Sequence, residues 1–320
     1  MNINIYGVGR SGTKAIQLFI TYLIAEREKY VAINYEPYLW RSRKLGNYSY
    51  QGISNLFSDK HITNNKTEIS KTHQKFIQQL ITSDISNVSK FIRANGYINP
   101  INDITKPDSS FVVIRGIYDV LSSINRLGFN FYSVGVKWEK PFWNSFVKET
   151  LKRNILSEQE LINEIKSVKS PLVKNAFYWY IMNLVALDAS SSKTYFVNFN
   201  SLDDIENKIS NILFSKNTDY KLSENKFKGD NIHRNCPLKN INSQNRTFQS
   251  IINKLIFYSF GRIIDSPAYL HESTGDVCEI NTIITKPNKN RFEKNKLIEK
   301  NSMFDYFQEQ IDKKLKKVQL

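Results

Sequence analysis

The chain has 320 residues, 41% hydrophobic and 13% aromatic, which excludes a disordered polymer and allows one large α/β domain or two small ones. Lys and Arg number 45 against 30 Asp and Glu. The resulting formal charge of +15 calls for an acidic partner, ligand or surface, without choosing among nucleic acid, anionic lipid, acidic glycan and nucleotide. The two cysteines, Cys236 and Cys278, lie far apart without metal spacing. A disulfide framework is therefore not expected, and a reducing cytoplasm is the default.

In chain order, the first element expected is a short apolar strand, Asn2–Tyr6, and no signal peptide is expected ahead of it. Strands are also expected at Tyr30–Tyr35, Glu68–Thr72, Ser110–Arg115 and Thr194–Phe199. Helical periodicity fills Thr13–Lys29, Gln74–Asn95, Ile117–Arg126, Ser157–Val168, Lys174–Ser190 and Leu202–Leu213. The longest apolar run, Ile16 to Ala25, is broken by Gln17 and Thr21 and is too short to span a bilayer. Strands alternating with helices predict an α/β class: a parallel sheet with helices on both faces, three layers in all. Ligands of such sheets bind at the carboxyl ends of the strands.

Two regions break the rhythm. Leu127 to Pro171 is an aromatic and basic insertion with Phe129, Phe131, Tyr132, Trp138, Phe142, Trp143 and Phe146, read either as an acceptor lid or as a hydrophobic subdomain. Beyond about Pro267 the α/β pattern fades, so residues 1–266 are taken as the main domain and 267–320 as a basic C-terminal extension. That extension carries a late amphipathic patch: Met303, Phe304, Phe307, Ile311 and Leu315. Three readings stay open for it: a solvated helix, a peripheral helix on anionic membrane, or a partner-binding element.

The chemistry starts at Gly7-Val8-Gly9-Arg10-Ser11-Gly12-Thr13-Lys14, directly behind the first strand and ahead of the first helix. A strand, a glycine turn and a helix in that order form an anion cradle, because backbone N–H groups turn inward and face the positive end of the helix dipole. The segment nearly spells a P-loop, but Thr13 stands where the lysine belongs and Lys14 comes one place late. The strand Phe111-Val112-Val113-Ile114 ends in Arg115, where a metal-dependent NTPase needs an acidic residue. Arginine there binds an anion directly. No residue cluster calls for a metal, and no motif that reads DNA or RNA is present.

Here the chain resembles the sulfotransferases that use 3′-phosphoadenosine 5′-phosphosulfate, and specifically their bacterial and tyrosylprotein members. Their 5′-phosphosulfate loop is similar to Arg10-Ser11-Gly12-Thr13-Lys14, preceded by Gly9. Their 3′-phosphate motif, a strand ending in Arg, then Asp-Val, then Ser eight residues after the Arg, is similar to Arg115, Asp119-Val120 and Ser123. Between the two, Ser70-Lys71-Thr72-His73 resembles the Lys-[Thr/Ser]-His that closes the third strand in cytosolic members. The resemblance implies the P-loop-like sulfotransferase fold with a C-terminal helical extension. It implies the nucleotide as donor without a metal, His73 as the base that takes the acceptor's proton, and Lys71 as a cation meeting charge on the sulfuryl group. Glu36, in Tyr35-Glu36-Pro37, is the competing base, as in tyrosylprotein-type members. Chemically, a histidine of ordinary pKa accepts a proton at neutral pH. Arg10 has no accessible neutral form, so it stabilises charge on the leaving phosphate and donates no proton.

Weaker matches follow. Tyr195 to Leu202 resembles the later strand whose aromatic lies near adenine, with Phe199 in that place and Asn200-Ser201 replacing its acidic pair. Trp179 and Asn183 sit on a helix similar to one in bacterial members, where packing is the simpler reading. Lys226-Phe227-Lys228-Gly229 and Arg234 are candidates for the C-terminal 3′-phosphate contact. The expected activity is sulfuryl transfer to a hydroxyl of a carbohydrate or glycolipid. The rival readings are a P-loop kinase with a degenerate loop and a non-catalytic protein that binds anions or glycans.

Overall fold

A computed structural model of the chain describes residues 1–25, 27, 31–35, 69, 71–78, 81, 86–92, 94–126, 136–189, 193–199, 202–214, 255–259, 262–264, 268–270, 277–279 and 298–318. Seven strands form one sheet: β1 (Asn2–Gly7), β2 (Val31–Tyr35), β3 (Ser86–Ile92), β4 (Ser109–Ile114), β5 (Thr194–Asn198), β6 (Leu255–Ser259) and β7 (Arg262–Ile264). Across the sheet the order is β5-β4-β1-β3-β2-β6-β7. All neighbours from β5 to β6 run parallel, and β7 pairs antiparallel with β6 at the edge. A separate antiparallel pair joins β8 (Ala268–Leu270) to β9 (Val277–Glu279).

Helix α1 (Thr13–Ala25) shows why the first crossover packs as it does. Ala15, Ile16, Phe19, Ile20, Leu23 and Ile24 are all buried, a helical stripe that meets Ile3, Ile5 and Val88 of the sheet. Gln17, which interrupts the apolar run, is also fully buried. Its Nε2 donates to the backbone carbonyls of Asn34 (3.1 Å) and Val88 (2.9 Å), tying α1 to β2 and β3. Helix α8 (Leu202–Phe214) shares this face through Ile205 and Ile209.

The opposite face holds the larger core. Helix α7 (Pro171–Leu187) is buried at every position from Asn175 to Leu187, so it behaves as an internal rod. It starts where proline belongs, with Pro171 in the first turn and Ser170 as its N-cap. Around it lie α3 (Ile98–Thr105), α4 (Ile117–Arg126), α5 (Val136–Lys152), α6 (Gln159–Ser167) and α9 (Ser302–Val318). The chain is thus α/β, with a mainly parallel sheet between two helical layers, as expected.

The third strand is a correction. Glu68–Thr72 was expected as a strand, yet Lys71–Gln78 forms helix α2, so Lys71-Thr72-His73 opens a helix. The helix expected over Gln74–Asn95 ends at Gln78, and Ser86–Ile92 inside it is β3. Ile77, Leu80, Ile81, Ile85 and Val88 fall at helical spacing, which masks the turn-forming Thr82-Ser83-Asp84. What decides is the sheet: the slot beside β1 is filled in register Ile3↔Val88 and Tyr6↔Phe91. β3 is hard to read because Ser86, Asn87, Ser89 and Lys90 are polar yet buried.

The insertion is settled in part. Trp143 and Phe146 are buried, stacked at 5.5 Å, and Phe146 meets Tyr178 of α7 at 5.4 Å. Those two rings belong to the core. Residues 127–135 lie outside the described residues, as do the side chains of Trp138 and Phe142. The C-terminal amphipathic patch also finds its partner inside the molecule: Phe304, Phe307, Ile311 and Leu315 are buried in the α7 core. No described helix is long and apolar enough to cross a membrane.

Candidate functional site

The strand order reverses direction at β1. The chain leaves β1 toward β2, returns through β3, and then crosses to β4 on the other side. Loops that leave β1 and β4 therefore diverge, opening a crevice at the carboxyl ends of two adjacent strands. The glycine loop follows one of these strands and Arg115 follows the other.

The loop is locked by its own bonds. Both the amide and the hydroxyl of Ser11 donate to the Val8 carbonyl, at 3.2 and 2.7 Å. Ile16 N–H donates to Gly12 O at 3.1 Å, so α1 starts at Thr13 and its first amides have no intrahelical carbonyl. These are the donors an anion would meet. Gly7 allows close approach, because a Cβ there would lie 2.7 Å from Ser11 Oγ and 2.8 Å from Val113 O. Gly12 has φ +97°, and a Cβ would collide with the Phe199 ring at 2.7 Å. Only glycine satisfies both demands at that position.

Arg10 takes φ +73°, a left-handed backbone that costs about 1 kcal/mol for a residue with a Cβ. Its side chain is held as well: Nε donates to Ser123 Oγ of α4 at 3.0 Å. Arg115, the first residue after β4, pairs weakly with Asp119 at 3.6 Å and lies 5.7 Å from the Phe199 ring centroid. Asp119 is largely exposed, so the pair adds little stability and an incoming anion competes for the same guanidinium. Phe199 donates its backbone N–H to Ile114 O at 2.7 Å, continuing β5 beside β4. Thus Gly12, Arg10, Arg115, Ser123 and Phe199 converge on one crevice.

Ser11 and Thr13 are buried in the loop wall, Gly9 is buried beside them, and Lys14 is half-buried at the start of α1. The Phe199 ring covers Gly12 and joins the α1 core, so one side of it packs against the loop. Lys71 is exposed at the first residue of α2. His73 lies in the same turn, with its side chain outside the described residues. Glu36, Asn200, Ser201, Lys226 to Gly229 and Arg234 also lie outside them.

Comparison with family models, curated proteins and solved structures gives no match. The site therefore rests on its own geometry. Among the described residues no three His, Cys, Asp or Glu side chains converge as a metal site.

Three further contributors support the site, one of them, Trp179, read from the sequence as packing. Trp179 is fully buried and its indole N–H donates to Arg115 O at 3.0 Å, which fixes the turn after β4; packing alone does not describe it. Gln308 of α9 accepts the Ile117 N–H at 2.8 Å on the other side of that turn. Lys90 is buried on β3, level with Ile5 of β1 and Tyr35 of β2. A lysine buried in a sheet is a signal, but only once the segment around it is known to be a strand.

Proposed function

We propose that the chain is a sulfotransferase of the P-loop-like fold, moving a sulfuryl group from 3′-phosphoadenosine 5′-phosphosulfate to a hydroxyl. One observation carries this reading: the Arg10–Ser123 hydrogen bond joins the glycine loop to the helix behind Arg115. The two segments that resemble the 5′-phosphosulfate and 3′-phosphate motifs thus meet at one crevice. A ligand carrying two anionic groups fits two cationic positions set on different strands.

In this mechanism the amides at the start of α1 and the Arg10 guanidinium hold the 5′-phosphosulfate. Sulfuryl transfer resembles phosphoryl transfer in being loose and in line, so catalysis consists of positioning and of stabilising the charge that builds on the bridging oxygen. As the S–O bond to the phosphate breaks, that charge grows beside Arg10, while the acceptor oxygen bonds to sulfur and loses its proton to the base. Arg115 and Ser123 bind the 3′-phosphate and set the register of the donor. His73 and Glu36 are the two candidate bases, and Lys90 joins Lys71 as a candidate cation on the acceptor side. The acceptor is a hydroxyl of a carbohydrate or glycolipid, and the protein acts in the cytoplasm or at the membrane surface.

Thermal unfolding with adenosine 3′,5′-bisphosphate, ADP and ATP tests the reading. The bisphosphate is expected to stabilise the fold by about 2.7 kcal/mol at a hundredfold excess over Kd, and ADP by much less. Stabilisation by ATP with Mg²⁺ and none by the bisphosphate would favour a kinase. No response to any nucleotide would favour an anion- or glycan-binding protein.

A further inference from the structure

The turn after β4 is held from both sides. On one side Trp179 of α7 takes the Arg115 carbonyl. On the other, Gln308 of α9 takes the Ile117 amide. Val120 N–H bonds to Gly116 O, so Ile117 is the first residue of α4 and its amide has no carbonyl within the helix. Gln308 is therefore an N-cap supplied from 191 residues away.

The cap is oriented. Gln308 Nε2 donates to Asp312 Oδ1 at 2.9 Å, which leaves the carbonyl end of the amide facing Ile117. The next residue is also gripped: the Tyr118 hydroxyl donates to Asp305 Oδ1 at 2.7 Å and accepts the Asn301 amide at 3.0 Å. Beneath this, Phe307 stacks on Tyr180 at 4.3 Å and Phe304 meets the Tyr118 ring at 6.1 Å. The seam is too well packed to be an accidental contact of a solvated helix.

Helix α4 carries Ser123, and Ser123 holds Arg10. We infer that Gln308 is a positioning residue for the anion site: the C-terminal helix fixes the start of α4 and, through Ser123, the guanidinium of Arg10. The identity of the bound ligand rests on the sulfotransferase reading, whereas the mechanical link does not. In this arrangement the C-terminal helix completes the donor site from outside the segment that carries its motifs.

The test uses the full chain and two variants. Gln308→Met keeps the shape of the side chain and removes the acceptor. Leu315→Ala opens a cavity at the far end of the same helix and controls for general loss of stability. Backbone amide resonances of Ile117, Ser123 and Ser11 are expected to move in Gln308→Met and to stay in Leu315→Ala. The Kd for adenosine 3′,5′-bisphosphate is expected to rise about three- to tenfold in Gln308→Met alone, as for one lost hydrogen bond. Movement at Ile117 without movement at Ser11 would overturn the inference, as would an equal rise of Kd in Leu315→Ala. A wild-type chain that binds no bisphosphate would refute the donor reading, and the resonances would still decide the role of Gln308.

Discussion

Arg10 and Ser123 are separated by 113 residues and joined by one hydrogen bond, Nε to Oγ at 3.0 Å. The bond acts on a residue whose backbone is already in a left-handed conformation, so the side chain and main chain of Arg10 are both constrained before any ligand arrives. Preorganisation of a cation in this way is what electrostatic catalysis requires, because no reorganisation remains to be done as charge develops.

The first prediction concerns that pair. Arg10→Ala is expected to weaken bisphosphate binding about a hundredfold, leaving it measurable, and Ser123→Ala to weaken it about tenfold. In a double-mutant cycle the two losses should fall short of additivity by about 1 kcal/mol, since the bond they share is removed once. Calorimetric titration of the four proteins measures this. Strict additivity would mean that Ser123 does not act through Arg10.

A second prediction follows from Gly12 and Phe199. Gly12→Ala meets both a positive φ and a ring at 2.7 Å, so it should destabilise the fold by about 1–3 kcal/mol. Phe199→Ala opens the same space and loses core packing. The double variant should therefore be less unstable than the sum of the two single ones. Urea unfolding of the three variants decides the point.

Much of this site was legible in the sequence because its signals are local. The glycine loop, Arg115 and Ser123 each sit within ten residues of a strand end, where backbone rules fix what side chains can do. Strands β1, β2, β4 and β5 and helices α1, α4, α7 and α8 fell close to their expected places for the same reason. β3 did not, because its four polar residues are buried by the sheet and the apolar residues ahead of it, Ile77, Leu80, Ile81 and Ile85, continue to Val88 at helical spacing. That error displaced the Lys71-Thr72-His73 motif, which opens a helix instead of closing the expected third strand. The roles of Gln308 and of Trp179, read only as packing, were hidden in a different way. Each acts on backbone atoms far off in the chain, and no spacing rule reaches across such a distance.

The docking of the C-terminal helix gives a third prediction. Phe307 is fully buried and stacked on Tyr180, so Phe307→Ala should cost about 3–5 kcal/mol. Chemical denaturation would show a lower midpoint with one cooperative transition. A midpoint unchanged within error would mean that the helix is not part of the core.

Alkaline pH supplies a fourth. Burial pushes the Tyr97 phenol up to about 12, and it holds the fully buried Tyr6 well above 10 despite a hydrogen bond from Asn4. A raised folded pKa means that the unfolded chain ionises first. The contribution is complete below about pH 10 and declines as pH rises toward 12, at about 1.4 kcal/mol per pH unit for each tyrosine. Unfolding free energies from pH 8 to 12 should be flat at first and then fall. Tyr97→Phe should fall less steeply over the same window.

The central claim is that this crevice binds a nucleotide with two separated anionic groups through Arg10 and Arg115, without a metal. Isothermal titration of the wild-type chain with adenosine 3′,5′-bisphosphate in EDTA tests it most directly. The account predicts one saturable site, unchanged by Mg²⁺, weakened about a hundredfold in Arg10→Ala and at least tenfold when the 3′-phosphate is absent. Binding that requires Mg²⁺, or that ignores the 3′-phosphate, would contradict it.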